Sequence, residues 1–288
     1  MAQTRNPDKE HFRELFISQL QLPEEKQDLA RSALYLAGEH CPALDVEGHL
    51  AHLDRLADEA QKMAVPATDQ DTLFRSLSRY LFEDAGFWGN GQDYYDADNS
   101  FLNRVLETRR GIPITLSLVY LEVGRRLGLK CYGVGLPGHF LVGLAEPDLY
   151  LDAFNGGLLL SAADCRRQVA EGFSPKIRWQ EEYLAPCTNR EILFRMLTNL
   201  KYIFIEDGDF RSAAGVLERL ALINPSMFDS FKELAWCHLK LGERRAAAEY
   251  LDRYIQGAAS TGDPDDARRQ VQAMWESLAG PEQQSDLP

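Results

Sequence analysis

The sequence lacks the cysteine patterns that define disulfide-bonded and zinc-binding proteins. Its five cysteines are an odd number, are widely scattered and include no C-x-x-C pair. They are Cys41, Cys131, Cys165, Cys187 and Cys237. This spacing argues against a disulfide framework and against a zinc knuckle, so reduced thiols are expected.

Long apolar runs and clusters of basic residues are missing as well. No apolar run reaches the roughly eighteen residues of a membrane-spanning helix, and no group of neighbouring basic residues is longer than a pair. Residues 1–8 have no apolar core of the kind that a signal peptide needs. We therefore expect a cytoplasmic protein whose partner is neither a membrane nor a nucleic acid.

What is present indicates an acidic globular protein. The chain has 288 residues, 45% of them hydrophobic, and a formal net charge of −13 at pH 7. This length is sufficient for two domains and a sizeable core, and the acidity mainly favours solubility.

The middle of the chain carries a candidate catalytic pair. The segment Gly-Ile-Pro-Ile-Thr-Leu-Ser at residues 111–117 leads into a predicted helix, residues 113–127, which is apolar on nearly every side and should be buried. Strand-like runs follow at residues 129–134, 139–144 and 149–154. If the last two strands pair through a short turn, His139 and Asp152 share a face of the sheet and lie within hydrogen-bond reach.

This order of motifs resembles the transglutaminase-like and papain-like cysteine enzymes. In that family a Cys opens a buried helix, and a His and an Asp follow on neighbouring strands as base and orienting group. One helix length before Gly128, where the family has its Cys, this sequence has Pro113. Proline has no thiolate and no N–H for an oxyanion, although it suits the first position of a helix. The resemblance therefore implies a site without its standard nucleophile.

A longer match points to a narrower group. Residues 99–117, 136–142 and 152–157 resemble the bacterial proteins called SirB-type, which are transglutaminase-like with C-terminal tetratricopeptide repeats. The resemblance covers roughly residues 70–185 and implies a shared fold, with no settled reaction.

The C-terminal part shows a repeat with the tetratricopeptide period. Four residues recur 34 positions later: Leu200, Tyr202, Gly208 and Ala213 recur as Leu234, Trp236, Gly242 and Ala247. Residues 267–278 would supply a capping helix. Because two repeats bury little apolar surface by themselves, we expect this tail to pack against the core domain.

The predicted architecture is α+β. It consists of an N-terminal helical layer, residues 1–68, and a transglutaminase-like core with a small antiparallel sheet, residues 69–188. Tetratricopeptide-like repeats follow at residues 189–279, and residues 280–288 are expected to be a disordered tail. Within the core, residues 86–98 are predicted as a loop, and Asn99 or Ser100 as the cap of the next helix.

Three further patterns in the sequence resemble cofactor or metal sites. Residues 133–138 match G-x-G-x-x-G, but a strand rather than a helix is predicted next. The calcium-loop letters Asp96, Asp98, Ser100 and Glu107 have Phe101 where the loop needs Gly. His40, His49 and His52 have no H-E-x-x-H motif or thiol beside them. No metal and no cofactor is therefore predicted.

Two functions stay open for a cleft that holds His139 and Asp152. Its further candidate residues are Arg110, Pro113, Thr115 and Asn155. The first function is a degenerate, non-catalytic module that binds a protein or peptide as a scaffold or regulator. The alternative is a hydrolase or acyltransferase on peptide amides that uses Thr115, Ser117, Cys131 or a bound water as the attacking group. The oligomeric state is left open.

Overall fold

The computed structural model describes residues 7–41, 43–64, 69–146, 148–172, 177–261 and 264–278. By its internal contacts the chain divides into two compact units, Met1–Met196 and Leu197–Pro288. The predicted disordered tail, residues 280–288, lies outside the described residues. None of the described helices is long and apolar enough to cross a membrane.

Helices form the N-terminal part of the first unit, as the apolar stripes predicted. They are α1 (Pro7–Leu20), α2 (Leu29–Gly38), α3 (Val46–Ala64) and α4 (Gln70–Arg79). The carboxylates of Asp28 and Asp69 cap α2 and α4 by accepting from backbone N–H groups at 2.9 Å. After α4 the chain continues into one π-helical turn, Tyr80–Asp84.

A buried helix lies at the centre of this unit. It is α6 (Pro113–Arg126), and it follows β1 (Trp88–Gly89), α5 (Leu102–Thr108) and β2 (Arg110–Gly111), with β1 and β2 paired in parallel. Proline occupies the first position of α6, and Gly128, at φ +74°, ends it while the Leu129 N–H bonds back to the Gly124 carbonyl at 2.9 Å. The predicted helix over 113–127 is thus confirmed to within one residue.

The predicted cap at Asn99 or Ser100 is wrong. Residues 97–100 form a 3₁₀ turn, and α5 begins at Leu102, after Phe101. The side-chain amide of Asn99 donates instead to the carbonyl of Asp93 at 2.6 Å, so it holds the preceding loop rather than the helix.

An antiparallel meander of four strands packs against α6. The strands are β3 (Cys131–Val134), β4 (Leu141–Leu144), β5 (Tyr150–Asp152) and β6 (Leu158–Leu160), in that order across the sheet. Three of them fall within the predicted runs, but β4 begins two residues later than expected, so that His139 precedes it. The sequence did not predict β6, an edge strand whose Leu158 is 51% exposed. Beyond the sheet lies α7 (Ala162–Gly172), which contributes Cys165 and Val169 to a buried apolar cluster.

The second unit is helical. It contains the end of α8 (Asn189–Glu206), followed by α9 (Phe210–Ile223), α10 (Asp229–Lys240), α11 (Arg244–Thr261) and α12 (Pro264–Leu278). Consecutive helices from α9 to α12 pack on one another. The turns after α8 and α10 contain Gly208 and Gly242, at φ +73° and +76°. Residues 267–278, predicted as a helix that caps the repeats, are helical and form the larger part of α12.

Candidate functional site

His139 and Asp152 are hydrogen-bonded. His139 Nε2 lies 2.8 Å from Asp152 Oδ2. The β4–β5 register pairs Val142 with Leu151. Continued by one step, this register places Asp152 opposite Leu141, so His139 occupies the diagonal position two residues away. The predicted contact is therefore present, although His139 lies in the turn before β4 rather than in the strand.

The Asp152 carboxylate is fully buried and accepts four hydrogen bonds. Oδ2 accepts from His139 and from the Asn155 side-chain amide, at 2.8 Å each. Oδ1 accepts from the backbone N–H groups of Phe154 and Asn155, at 3.1 and 3.2 Å. Burial acts to raise the pKa of Asp152, but the hydrogen bonds from His139 and Asn155 outweigh it, and the pKa lies below its ordinary value. Asp152 is thus an ionised acceptor at neutral pH.

The other ring nitrogen of His139 faces a partly open space. The side chain is 16% exposed, and Nδ1 has no hydrogen-bond partner within the described part of the chain. The edge of the ring meets Phe154, with the centroids 6.3 Å apart. Because a carboxylate can only accept, the proton of the neutral imidazole belongs on Nε2, which leaves Nδ1 as an acceptor for a ligand.

Arg195 holds the turn that carries His139, and sequence reasoning missed it. Its Nη2 donates to the carbonyl oxygens of Leu136 and His139, at 2.6 Å each, and its guanidinium lies over the Phe140 ring at 5.6 Å. Burial lowers the pKa of Arg195. No local pattern could have revealed this contact, because α8 contributes the arginine from 56 residues further along the chain.

Aromatic side chains border the dyad. Tyr94 meets Phe154 edge-on at 5.9 Å and Tyr95 at 5.3 Å. Tyr95 and Trp88 are 68% and 49% exposed. They belong to the segment predicted as a loop, which we call the aromatic loop, residues 86–98.

The aromatic loop is fastened to α6 through Asn99. The side chain of Asn99 accepts from the Asn90 amide at 3.1 Å and donates to the Asp93 carbonyl, while its backbone carbonyl accepts from the Thr115 hydroxyl at 2.7 Å. Asn99 is therefore a junction between the loop and the start of the central helix.

Pro113 is buried at the first position of α6. Ser117, one turn later on the same face, lies with its hydroxyl 3.5 Å from the Phe140 carbonyl. The face of α6 that bears Pro113 is thus directed towards the chain segment that contains His139. The expected nucleophile position carries no reactive atom.

The side chains that could replace the missing nucleophile have structural roles instead. Thr115 is fully buried, donates to the Asn99 carbonyl and accepts from the Ile112 N–H at 3.1 Å. Burial raises the pKa of the Cys131 thiol to about 12. Cys131 also pairs with Leu144, at the end of β3 remote from the His139 turn, roughly 10 Å along the strand. None of these groups meets the requirements of an activated nucleophile.

Of the two other predicted cleft residues, Asn155 lies beside the dyad and Arg110 lies on the surface. Asn155 bonds directly to Asp152, as described above, and belongs to the dyad's surroundings. Arg110 is exposed on β2 opposite Trp88, and its guanidinium makes no hydrogen bond or ion pair with any residue that the structure describes.

The residues that resemble metal or nucleotide sites in the sequence make other interactions in the structure. Arg104 ion-pairs with Asp98 and Glu107, at 2.9 and 2.6 Å. The His49 Nδ1 contacts the Asp45 carbonyl at 2.7 Å. After the glycines of residues 133–138 comes strand β4 rather than a helix. Within the described ranges no three His, Cys, Asp or Glu side chains are grouped as metal ligands would be.

A family model described as the transglutaminase-like superfamily matches residues 47–198, which is more than half of the chain. The chain belongs to the transglutaminase-like superfamily. The matched range contains α6, the dyad, the aromatic loop and Arg195, so the whole candidate site lies inside the family domain.

Relatives cover most of this transglutaminase-like chain. The UPF0162 protein of Xylella fastidiosa strain 9a5c is 34% identical over 254 residues, which are 85% of this chain and 89% of the relative. A UPF0162 protein of Pseudomonas aeruginosa is 28% identical over 260 residues, 90% and 94% of the two chains. F-box only protein 21 of the mouse is 33% identical over 149 residues, 48% of this chain and 23% of the relative. No solved structure matches significantly.

Proposed function

We propose that this transglutaminase-like protein is a pseudoenzyme that acts as a scaffold or regulator by binding a protein or peptide in the dyad cleft. One observation carries the proposal. The base and its orienting carboxylate are assembled, yet the nucleophile position holds Pro113, the Thr115 hydroxyl is bonded to the backbone, and the Cys131 thiol is buried away from the dyad. A site built in this way can recognise an amide without attacking it.

The chemistry of the cleft supports a peptide ligand. His139 Nδ1 can accept a hydrogen bond from a backbone N–H of the ligand. Trp88, Tyr94 and Tyr95 offer apolar area together with polar edges, the combination that suits an uncharged peptide segment. The ligand is therefore a short peptide segment with one N–H directed at the imidazole.

The relatives and the second unit support a modular binding protein. The F-box relative shares only a quarter of its length with this chain, so the common core is one part of a longer protein there. We assign the chain to the SirB-type group, and residues 189–279 to tetratricopeptide-type hairpins that offer a second protein-binding surface. The support is the 34-residue correspondence: Gly208 and Gly242 both have positive φ, and Ala213 and Ala247 are both fully buried. The boundaries 1–68 and 69–188 remain part of this proposal.

The experiment is a selection from a random peptide library displayed on phage, with the full-length chain as bait. Binding of the enriched peptides is then measured by calorimetry for the wild type, His139→Ala and Trp88→Ala. The matched control is His11→Ala, an exposed histidine on α1. We expect each site variant to weaken binding by about tenfold, the loss of one buried hydrogen bond or aromatic contact. Selected peptides that bind both variants as tightly as the wild type would refute the proposal.

Hydrolysis by a bound water is the second candidate. The free Nδ1 of His139, oriented by an ionised Asp152, is the arrangement of a general base. Turnover of amide or ester substrates that His139→Ala abolishes and Cys131→Ala preserves would establish it. Absence of turnover across such a panel by a folded protein that binds peptides would leave the binding function.

A further inference from the structure

A second cleft in the first unit shares no lining residue with the dyad. It lies between α3, the π-helical turn and the end of α5, and it has a volume of about 530 Å³. Its lining includes the basic residues His52, Arg55 and Arg109 and the acidic residues Asp58, Glu59 and Asp84. The dyad makes no use of this cleft.

Three basic side chains of the cleft, those of His52, Arg55 and Arg109, lie near one another. Burial, reinforced by the positive charge of Arg55, by His49 and by Arg109, lowers the pKa of His52. Neither Arg55 nor Arg109 forms a hydrogen bond or ion pair through its side chain within the part of the chain that the structure describes. By contrast, Arg126 pairs with Asp54 on the same helix, α3, at 2.7 Å. In a chain of net charge −13, two unpaired arginines beside one histidine form an unbalanced cationic group.

The cleft lining also contains three acidic side chains. Glu59 is paired with Lys62 at 2.6 Å, and Asp58 and Asp84 are the other two. Tyr80, on the π-helical turn, belongs to the same lining. A second negative charge on a ligand would be repelled by these carboxylates, whereas a neutral or positively charged body would be accepted.

Two irregularities of the backbone border the same cleft. Arg109 ends α5 at φ +61°, in the left-handed region where glycine is the least strained residue. Tyr80–Asp84, which contribute to the same lining, form a π-helical turn, a rare conformation that is frequently found at functional sites. An arginine in the left-handed conformation, in the lining of a cleft that an irregular turn also borders, indicates a use for its side chain.

We propose that His52, Arg55 and Arg109 bind the phosphate or carboxylate group of a small ligand whose remaining part is neutral or cationic. Guanidinium groups are the preferred partners of such anions because they donate in a planar fork. Burial raises the pKa of Tyr80, so its hydroxyl stays protonated and can donate as well. The acidic side chains of the lining receive the rest of the ligand.

Binding is tested with full-length protein near neutral pH by calorimetry and by the NMR shifts of the His52 ring. The probes are phosphoethanolamine and β-alanine, which carry one anionic group and one ammonium, and citrate, which carries only negative charge. We expect saturable binding of at least one zwitterionic probe, tighter than that of citrate and accompanied by a shift of the His52 signal. The zwitterion that binds more tightly identifies the anionic group as phosphate or carboxylate.

Arg109→Gly is the decisive variant, because it removes the guanidinium and relieves the backbone strain at the same time, so the fold should be retained. It and Arg55→Gln should each weaken binding by about tenfold or more, the loss of a charge-assisted hydrogen bond. Arg75→Gln, at an exposed arginine on α4 that pairs with Asp71, is the matched control and should bind as the wild type does. Failure of both zwitterions to saturate, tighter binding of citrate, or unchanged affinity in Arg109→Gly and Arg55→Gln would overturn the proposal.

Discussion

Replacing Asp152 by Asn should reverse the direction of the hydrogen bond at His139. An amide has one accepting oxygen and one donating NH₂ group, whereas the carboxylate accepts on both sides. The backbone N–H groups of Phe154 and Asn155 require the oxygen on their side. The NH₂ then faces His139 Nε2, which must become the acceptor, and the imidazole proton moves to Nδ1. The group that the cleft presents to a ligand changes from acceptor to donor.

The same substitution should destabilise the protein at neutral pH. The Asn155 side-chain amide, which now donates to Asp152 Oδ2 at 2.8 Å, would face another donor and lose its partner. An unsatisfied buried donor costs about 1–3 kcal/mol, and the bonds that persist lose their charge assistance. Removing a buried charge recovers part of the desolvation cost, so we expect a net loss of about 2 kcal/mol.

The lowered pKa of Asp152 gives this prediction a pH signature. An Asp with a depressed folded-state pKa contributes stability above its unfolded value of about 3.9, and the contribution is lost as pH falls through the folded pKa. Wild-type stability should therefore decline in acid more steeply than that of Asp152→Asn, and the difference between the two proteins should shrink below about pH 4.

Two measurements decide the matter. Nitrogen shifts of the His139 ring report the tautomer, and amide hydrogen exchange at Phe154 and Asn155 reports local stability even if the two units unfold separately. Asp93→Asn is the matched control, because that exposed carboxylate has no partner among the described residues. An unchanged tautomer together with unchanged exchange in Asp152→Asn would refute the reasoning.

Three further predictions concern Thr115, the cysteines and Gly89. Thr115→Val should cost about 2 kcal/mol in urea unfolding, since the Asn99 carbonyl and the Ile112 N–H lose the hydroxyl and keep only their mutual bond at 3.4 Å, whereas Thr115→Ser should cost about 1 kcal/mol; equal costs would contradict the structural role of the hydroxyl. Iodoacetamide followed by mass spectrometry should label the exposed Cys41 well before Cys131, whose pKa of about 12 keeps it a thiol, and comparable rates would show an accessible thiolate. Gly89→Ala should destabilise the first unit by about 1–3 kcal/mol, because its Cβ would lie 2.5 Å from the Phe154 carbonyl oxygen; an unchanged unfolding midpoint would mean that the two segments separate freely.

Local signals in the sequence predicted the central helix and the dyad. Pro113 and Gly128 are the usual residues at the two ends of a helix, and the apolar run between them could only be buried. The pairing of His139 with Asp152 followed from the strand period, which tolerates an error of two residues in the start of β4 because positions i and i+2 share a face.

Long-range contacts account for what the sequence could not predict. His139 lies outside β4 because Gly138, at φ +69°, turns the chain and Arg195 binds the carbonyl of His139 from α8. The cap expected at Asn99 failed for a similar reason, since its amide is used by a loop carbonyl. Neither Arg195 nor the loop carbonyl that Asn99 binds belongs to a periodic pattern in the sequence. Arg109 likewise cannot be told from any surface arginine until its φ is known.

The junction at Asn99 limits how this site can change during evolution. The aromatic loop is followed directly by Asn99, which holds Asn90 and Asp93 of the loop and also accepts from the hydroxyl of Thr115 inside the core. An insertion or deletion between residues 90 and 99 would shift this junction and break the hydrogen bond from the Thr115 hydroxyl to the Asn99 carbonyl, unlike a change in an ordinary surface loop. New ligand preferences should therefore arise through replacement of Trp88, Tyr94 or Tyr95 in place, with the length of the loop retained.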